Sequence, residues 1–167
     1  MEANQQKKIL IGVGSVVGAL VLYLILAWSI SFWPFSSQSK QEIFDDLSNK
    51  ITFSTDLEET NTIFNKAATE RKKQFKEGFI DNKVNKLVEL ANKLTTPKIT
   101  DGDKKTSFDS ASASLKEITD NQTLLLNHND DFWKAETNKT TVQGEIKKII
   151  DAYVQFKTQI KTALDLK

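Results

Sequence analysis

A long uncharged segment near the N-terminus constrains this sequence more than any other feature. Residues 9–33 contain no Asp, Glu, Lys or Arg, and most of them are apolar. As a helix, a segment of this length would measure about 37 Å, which exceeds the ~30 Å hydrocarbon layer of a bilayer. A helix buried in a soluble protein is rarely apolar on every face over such a length. We therefore predict a single transmembrane helix over residues 9–33.

The C-terminal edge of this run carries the aromatic residues that are typical of a membrane interface. Pro34 lies at the same edge and is expected to end or kink the helix, because proline has no backbone N–H to donate. Aromatic side chains favour the headgroup layer of a bilayer. The predicted interface residues are Trp28, Phe32, Trp33 and Phe35.

The charges on either side of the run predict its orientation. Lys7 and Lys8 precede it, whereas residues 40–59 carry two lysines and six acidic residues. Because positively charged flanks stay on the cytoplasmic side, residues 1–8 should form a cytoplasmic tail. The C-terminal domain should then be extracytoplasmic. A chain without cysteine is compatible with a bacterial cell envelope, which is the location we expect.

A cleaved signal peptide is the alternative interpretation of the same run. Lys7 and Lys8 resemble the basic start of such a peptide, and residues 27–29 or 29–31 resemble its small-residue cleavage site. The apolar core of a secretory signal, however, usually has ~7–15 residues. Residues 9–33 are considerably longer, so we favour an uncleaved anchor.

Two capping motifs divide the sequence that follows the run. Residues 34–53 are interpreted as a polar linker and a short juxtamembrane amphipathic helix, which begins where Ser39 and Glu42 have the spacing of a capping box. Thr55 and Glu58 have the same spacing. Because the β-branched stretch between the two motifs disfavours a continuous helix, we expect the main helical domain to begin at the second one.

That domain, residues 54–167, shows helical periodicity throughout. Its apolar residues recur at spacings of three and four, and no segment sustains the two-residue alternation of a strand. Gly78 is the expected end of its first helix, and Pro97 lies in an expected loop. The predicted apolar stripes are Leu57, Phe64, Ala68, Phe75 and Phe79; Ile80, Val84, Leu87, Ala91 and Leu94; Phe108, Ala111, Leu115, Ile118, Gln122 and Leu125; and Ile146, Ile149, Tyr153, Phe156, Ile160 and Ala163.

Helices with one apolar stripe must bury it against one another. Short loops between them favour an antiparallel, up-and-down bundle. A coiled coil between chains is the competing arrangement, but Gly78, Pro97 and residues 127–130 interrupt the heptads. We therefore predict an all-α protein, with a single N-terminal transmembrane helix and a membrane-external antiparallel bundle of about four main helices.

The sequence offers few groups for catalysis or cofactor binding. His128 is the only histidine and lies in a polar segment, cysteine is absent, and Met1 is the only methionine. One histidine cannot supply the two Glu-x-x-His motifs of a di-iron bundle, and no Gly-rich phosphate loop follows a strand. We predict a non-enzymatic protein without metal or cofactor. The net charge of +1 also gives no reason to expect a nucleic-acid partner.

Residues 127–131 are the nearest approach to a calcium loop, because oxygen-bearing side chains occupy alternate positions. Phe132 stands where an EF-hand loop needs glycine, and Asn138 stands where it needs a bidentate glutamate. A helix cap provided by Asn129 or by one of the following two aspartates is the favoured interpretation.

The densest basic cluster comprises Arg71, Lys72, Lys73 and Lys76, and residues 66–86 carry seven basic and three acidic side chains. Such a cluster can bind an anionic lipid, a cell-wall polymer or an acidic partner. A solvated helix face is the favoured interpretation, since charged runs of this kind are common on exposed helices.

Small residues on one face of the predicted anchor indicate contact with other membrane helices. Gly14, Ser15, Gly18 and Ala19 let helix backbones approach closely. The expected partners are therefore the lipid bilayer and other membrane-protein subunits, in a hetero- or homo-oligomer. The favoured function is a structural or accessory subunit of a membrane assembly, and the alternative is an extracytoplasmic ligand-binding or sensor bundle.

Overall fold

The computed structural model describes residues 38–96, 98–100 and 102–167. The predicted tail (1–8), anchor (9–33) and Pro97 lie outside these ranges, as do the anchor's small residues and its aromatic edge: Gly14, Ser15, Gly18, Ala19, Trp28, Phe32, Trp33 and Phe35. Within the described ranges, no helix combines the length and the apolarity needed to cross a bilayer.

The described residues fold into helices and connecting turns, without a β-strand, so the all-α prediction is confirmed. Residues 39–167 form one compact unit. In chain order the elements are α1 (Lys40–Lys50), α2 (Asp56–Phe64), α3 (Arg71–Gln74), a π-helix (Phe75–Val84), α4 (Asn85–Leu94), α5 (Lys105–Leu126), α6 (Asp130–Lys134), a 3₁₀ turn (Glu136–Asn138) and α7 (Lys139–Ala163).

Both predicted capping boxes are confirmed. At the start of α1, the Ser39 hydroxyl accepts the Glu42 N–H (3.2 Å), while the Glu42 carboxylate accepts the Ser39 N–H (2.7 Å). Thr55 and Glu58 exchange the same pair of bonds at the start of α2. Each box satisfies backbone donors that have no partner inside the helix, which sets the first residue of each helix.

Contacts between helix ends show how the chain runs. The Lys40 ammonium donates to the Leu94 carbonyl at 3.4 Å, which places the start of α1 beside the end of α4. Lys104 forms an ion pair with Asp165, so the start of α5 lies beside the end of α7. α1 and α2 together make one pass along the bundle. Three further passes follow: the segment from α3 to α4, then α5, then α7. Each pass runs in the opposite direction to the one before it.

Side chains of α2 and α3 contact the segment around the start of α7, towards the opposite end of the bundle. Arg71 forms an ion pair with Glu136 (2.6 Å), which brings the start of α3 next to the 3₁₀ turn that precedes α7. Gln143 near the start of α7 donates to Asp56 at 2.7 Å. The predicted juxtamembrane helix corresponds to α1, which shares the first pass with α2, and the short α6 lies between α5 and α7. The described residues therefore contain more helices than the four main ones predicted.

The core lies between the four passes and contains the predicted stripes of α4, α5 and α7. All six residues of the predicted α7 stripe and all five from Ile80 to Leu94 are buried. Gln122 is the exception in α5, since it is only partly buried and donates to Asn85 at 2.7 Å. α1 buries Ile43 and Leu47 in the same core.

The first predicted stripe was wrong in part. α2 ends at Phe64, and a turn over residues 65–70 separates it from α3, so Phe75 and Phe79 belong to the next pass. Leu57 is 50 % exposed, and Ala68 is exposed in the turn. The inward residues of α2 are Glu59, Thr60, Ile63 and Phe64.

The second pass contains a ten-residue π-helix where the sequence suggested a helix end at Gly78. That expectation was wrong, because the helical backbone is continuous over residues 71–94. The Asn85 N–H bonds to the Ile80 carbonyl, five residues back. Buried residues repeat at the same interval, from Phe75 to Ile80 and from Phe79 to Val84. The π-helix therefore places both pairs of apolar side chains in the core. At ten residues it is longer than most π-helices, which usually consist of a single turn.

Candidate anion-binding groove

Arg71, the first residue of the predicted basic cluster, points inward rather than towards solvent. It is only 9 % exposed, and its guanidinium lies 4.8 Å from the centre of the Phe64 ring. Besides the ion pair with Glu136, it donates to the Lys134 carbonyl at 3.2 Å. These contacts join the end of α2, the start of α3 and the segment after α6. Arg71 therefore acts as a structural link at this end of the bundle.

The remaining three lysines of the cluster lie along a surface groove with a volume of about 550 Å³. Residues three and four apart share a face of a helix, which places these lysines on one wall. α6 provides the other wall. The charged residues that line the groove are Lys72, Lys73, Lys76 and Lys134, with the acids Glu77 and Asp130. Four lysines against two acidic side chains give the groove a net charge of +2.

The two walls are joined by an ion pair. The Lys72 ammonium lies 2.7 Å from an Asp130 carboxylate oxygen, between residues 58 positions apart in sequence. The hydrogen bond from Lys72, together with its charge, holds the pKa of Asp130 below its ordinary value. Lys134 pairs with Asp131 at 3.1 Å.

Lys73 and Lys76 differ from these neighbours. Both side chains are exposed, and neither forms an ion pair with an acid in the part of the chain that the structure describes. The ammonium groups of these two exposed lysines are therefore available to an anion.

Trp133 closes the groove from below. Its side chain lines the groove yet is only 1 % exposed, and its ring stacks on Phe75 with centroids 4.6 Å apart. The indole N–H is buried and has no acceptor among the described residues. A buried donor without a partner is uncommon in native proteins. In this protein that donor belongs to Trp133, the residue at the base of the charged groove.

A helix cap holds α6, and this confirms the favoured interpretation of residues 127–131. The Asn129 side chain accepts the Phe132 N–H at 2.9 Å. The ring of His128 stacks on that of Phe132 with centroids 3.6 Å apart. Within the described ranges, no group of three His, Cys, Asp or Glu side chains is arranged to hold a metal.

A buried ion pair that was not predicted from the sequence lies elsewhere in the bundle. Glu59 of α2 is buried, accepts the Ser54 N–H at 2.9 Å and pairs with Lys83 of the π-helix. The Lys83 ammonium also lies 5.9 Å from the centre of the Phe53 ring. The sequence contains one indirect signal for this pair. If Leu57 faces solvent, as it does in the structure, helical spacing places Glu59 on the inward face of α2. This pair joins two passes of the bundle.

The groove, in contrast, is concave, exposed and positively charged, and it can hold an anion through lysine ammonium groups. Comparison of the chain with protein-family models, curated proteins and solved structures found no match.

Proposed function

We propose that this chain is a non-enzymatic accessory subunit of a membrane protein assembly. The observation that carries the proposal is the uncharged run over residues 9–33, which is long enough to cross a bilayer. A compact helical unit begins only a few residues later, at Ser39. In this proposal the run anchors the chain, and the helical unit docks on other subunits.

The charges around the run support an orientation for the proposed subunit. Lys7 and Lys8 would keep residues 1–8 in the cytoplasm. The helical unit would then be extracytoplasmic, in a bacterial cell envelope. Gly14 and Gly18 would allow the anchor to pack closely against a helix of a partner.

Ion pairs within single helices are a further feature of the helical unit. Many lysines pair with an acid one turn away on the same helix, as in Lys50–Asp46, Lys116–Asp120 and Lys147–Asp151. Exposed pairs at this spacing stabilise a helix by about 0.3–0.5 kcal/mol each. Charged side chains used in this way stabilise the helices that carry them.

The proposal is tested by purifying the tagged full-length chain from its native membranes in mild detergent. We expect other membrane proteins, or further copies of this chain, to purify with it in fixed proportion. An unrelated single-pass protein with the same tag serves as the control for adventitious capture. If the native mass corresponds to one copy of the chain in its micelle, with no partner beyond those of the control, the subunit proposal is wrong.

The groove favours a second candidate function, an extracytoplasmic ligand-binding or sensor bundle. Its concave shape and two available ammonium groups, on Lys73 and Lys76, are features that a ligand site requires. A binding module of this kind would purify without stoichiometric protein partners. It would also show a higher melting temperature when a small anionic ligand is added.

A further inference from the structure

We propose that the groove between α3 and α6 binds an acidic segment of a partner protein, in which glutamate or aspartate alternates with apolar residues. This inference deepens the accessory-subunit proposal, because it assigns the surface on which a partner docks. The segment's carboxylates would pair with Lys73 and Lys76, and its apolar side chains would lie against Ala68 and the aliphatic stems of the lining lysines.

The charge of the groove favours an acidic ligand. Lys72 and Lys134 already have carboxylate partners at 2.7 and 3.1 Å, whereas Lys73 and Lys76 have none among the described residues. The latter two are three residues apart on consecutive turns, so their ammonium groups can approach neighbouring carboxylates of one segment. Lysine is a point charge on a flexible stem, which suits carboxylates whose orientation varies.

The walls of the groove are held before any ligand arrives. Arg71 bonds to the Lys134 carbonyl and to Glu136, and Lys72 pairs with Asp130. α3 and α6 are therefore tied together through two consecutive residues at the start of α3. A ligand that binds here need not order the backbone. A preformed site binds more tightly than a flexible one with the same contacts, because less conformational entropy is lost on binding.

The composition of the groove favours a protein segment over a phosphate polymer or a lipid surface. Glu77 and Asp130 lie among the lysines and would repel a uniformly anionic surface. A segment in which acidic and apolar residues alternate can place an apolar residue next to Glu77 and next to Asp130. The exposed Ala68 adds apolar surface for such residues, and the buried ring of Trp133 lies beneath it. The groove is also open to solvent, so a segment of a partner protein can enter it.

The test uses the full-length chain in detergent micelles and a fluorescently labelled peptide of alternating glutamate and leucine. We expect binding, measured by fluorescence anisotropy, that weakens as ionic strength rises. The double substitution Lys73→Gln with Lys76→Gln should weaken it about tenfold at low salt. The matched control is Lys86→Gln with Lys161→Gln, which removes two exposed lysines outside the groove. This control should leave the affinity within about twofold of the original.

A second measurement follows the indole N–H resonance of Trp133, which lies under the groove. The peptide should shift this resonance in the original chain and in the control, and should leave it unchanged in the Lys73→Gln, Lys76→Gln variant. Circular dichroism establishes that both variants keep their helices.

Three results would overturn the proposal: no binding of the peptide at low salt, equal weakening by the two double substitutions, or tighter binding of polyphosphate or short-chain phosphatidylglycerol than of the peptide. These measurements use the purified chain alone. A negative result therefore removes the groove as the docking surface, while the purification from native membranes tests the subunit role separately.

Discussion

The Tyr153 hydroxyl in α7 lies 2.8 Å from the carbonyl oxygen of Leu47 in α1, and the hydrogen bond it donates joins residues 106 positions apart. The same hydroxyl is 3.0 Å from the carbonyl of Ile51, the C-terminal capping residue of α1. One buried donor thus holds the end of the first helix against the last. α1 belongs to the bundle partly through this bond.

Replacing Tyr153 with Phe should destabilise the bundle, because the two carbonyls lose a buried donor. We expect a decrease in the free energy of unfolding of about 1–2 kcal/mol, measured by urea titration. Thr158→Val is the matched control, since it removes an exposed hydroxyl from the same helix. It should change stability by less than about 0.5 kcal/mol. Equal stabilities of the two variants would show that the Tyr153 bond contributes nothing.

The same tyrosine predicts a loss of stability at high pH. Burial raises the pKa of Tyr153 from 10.0 to about 12. Because the folded state keeps the proton that the unfolded state has lost, this contribution is complete below pH ~10 and disappears as pH rises towards 12. The expected loss across this window is of order 2 kcal/mol. Tyr153→Phe should show a shallower decline over the same range, and parallel curves for the two proteins would contradict the prediction.

The residues of α7 allow a direct test of the core. Ile149 and Phe156 are fully buried, whereas Val154 on the opposite face is 54 % exposed. In a chain limited to residues 38–167, Ile149→Asp or Phe156→Asp should abolish cooperative thermal unfolding, because an unpaired charge in a core costs several kcal/mol. Val154→Asp introduces the same charge at the surface and should melt almost as the original does. Circular dichroism at increasing temperature provides the measurement.

The helical stripes could be predicted from sequence because they depend on local spacing, which the residues of α4, α5 and α7 display directly. The capping boxes at Ser39 and Thr55 were equally local. The break after Phe64 was not predictable in this way. Residues 65–70 include two alanines and no proline or glycine, so helix propensity favours continuation there. The chain turns because its next apolar residues are needed in a different pass, which is a property of the whole bundle.

The groove could be predicted only in part, for the same reason. The basic cluster was visible in the sequence, but its division into an inward Arg71 and outward lysines depends on Phe64 and Glu136. Neither contact is local. The opposite wall comes from α6, and Asp130 is 58 positions away from Lys72. A site whose residues come from distant segments has no fixed residue spacing that a single sequence could reveal.

The inward position of Arg71 predicts that this residue contributes to stability, whereas the exposed Lys73 of the groove does not. Arg71→Lys keeps the charge but loses the planar fork that reaches both Glu136 and the Lys134 carbonyl. We expect this variant to lower the free energy of unfolding by about 1–3 kcal/mol. Lys73→Arg, the reverse exchange two residues away, should leave stability unchanged. A stable Arg71→Lys protein would show that the guanidinium is not a structural link.

The last prediction concerns the anchor and distinguishes the two candidate functions. Gly14→Ile together with Gly18→Ile adds bulk to one face of the run without making it less apolar, so membrane insertion should survive. Close packing against a neighbouring helix should not survive, because contacts of this type need backbones to approach closely. In the accessory-subunit proposal, the proteins that purify with the original chain should be lost from this variant.

The helical unit itself provides the internal control for that experiment. Its core involves residues from Ile43 onwards, so the doubly substituted chain should unfold at the same temperature as the original. A free-standing binding module would show unchanged ligand affinity and would have no partners to lose. If the substituted chain instead retains every partner, close packing of the anchor is not what holds the assembly together. The docking energy must then come from the surface of the bundle, where Lys73→Gln with Lys76→Gln becomes the substitution that should release the partner.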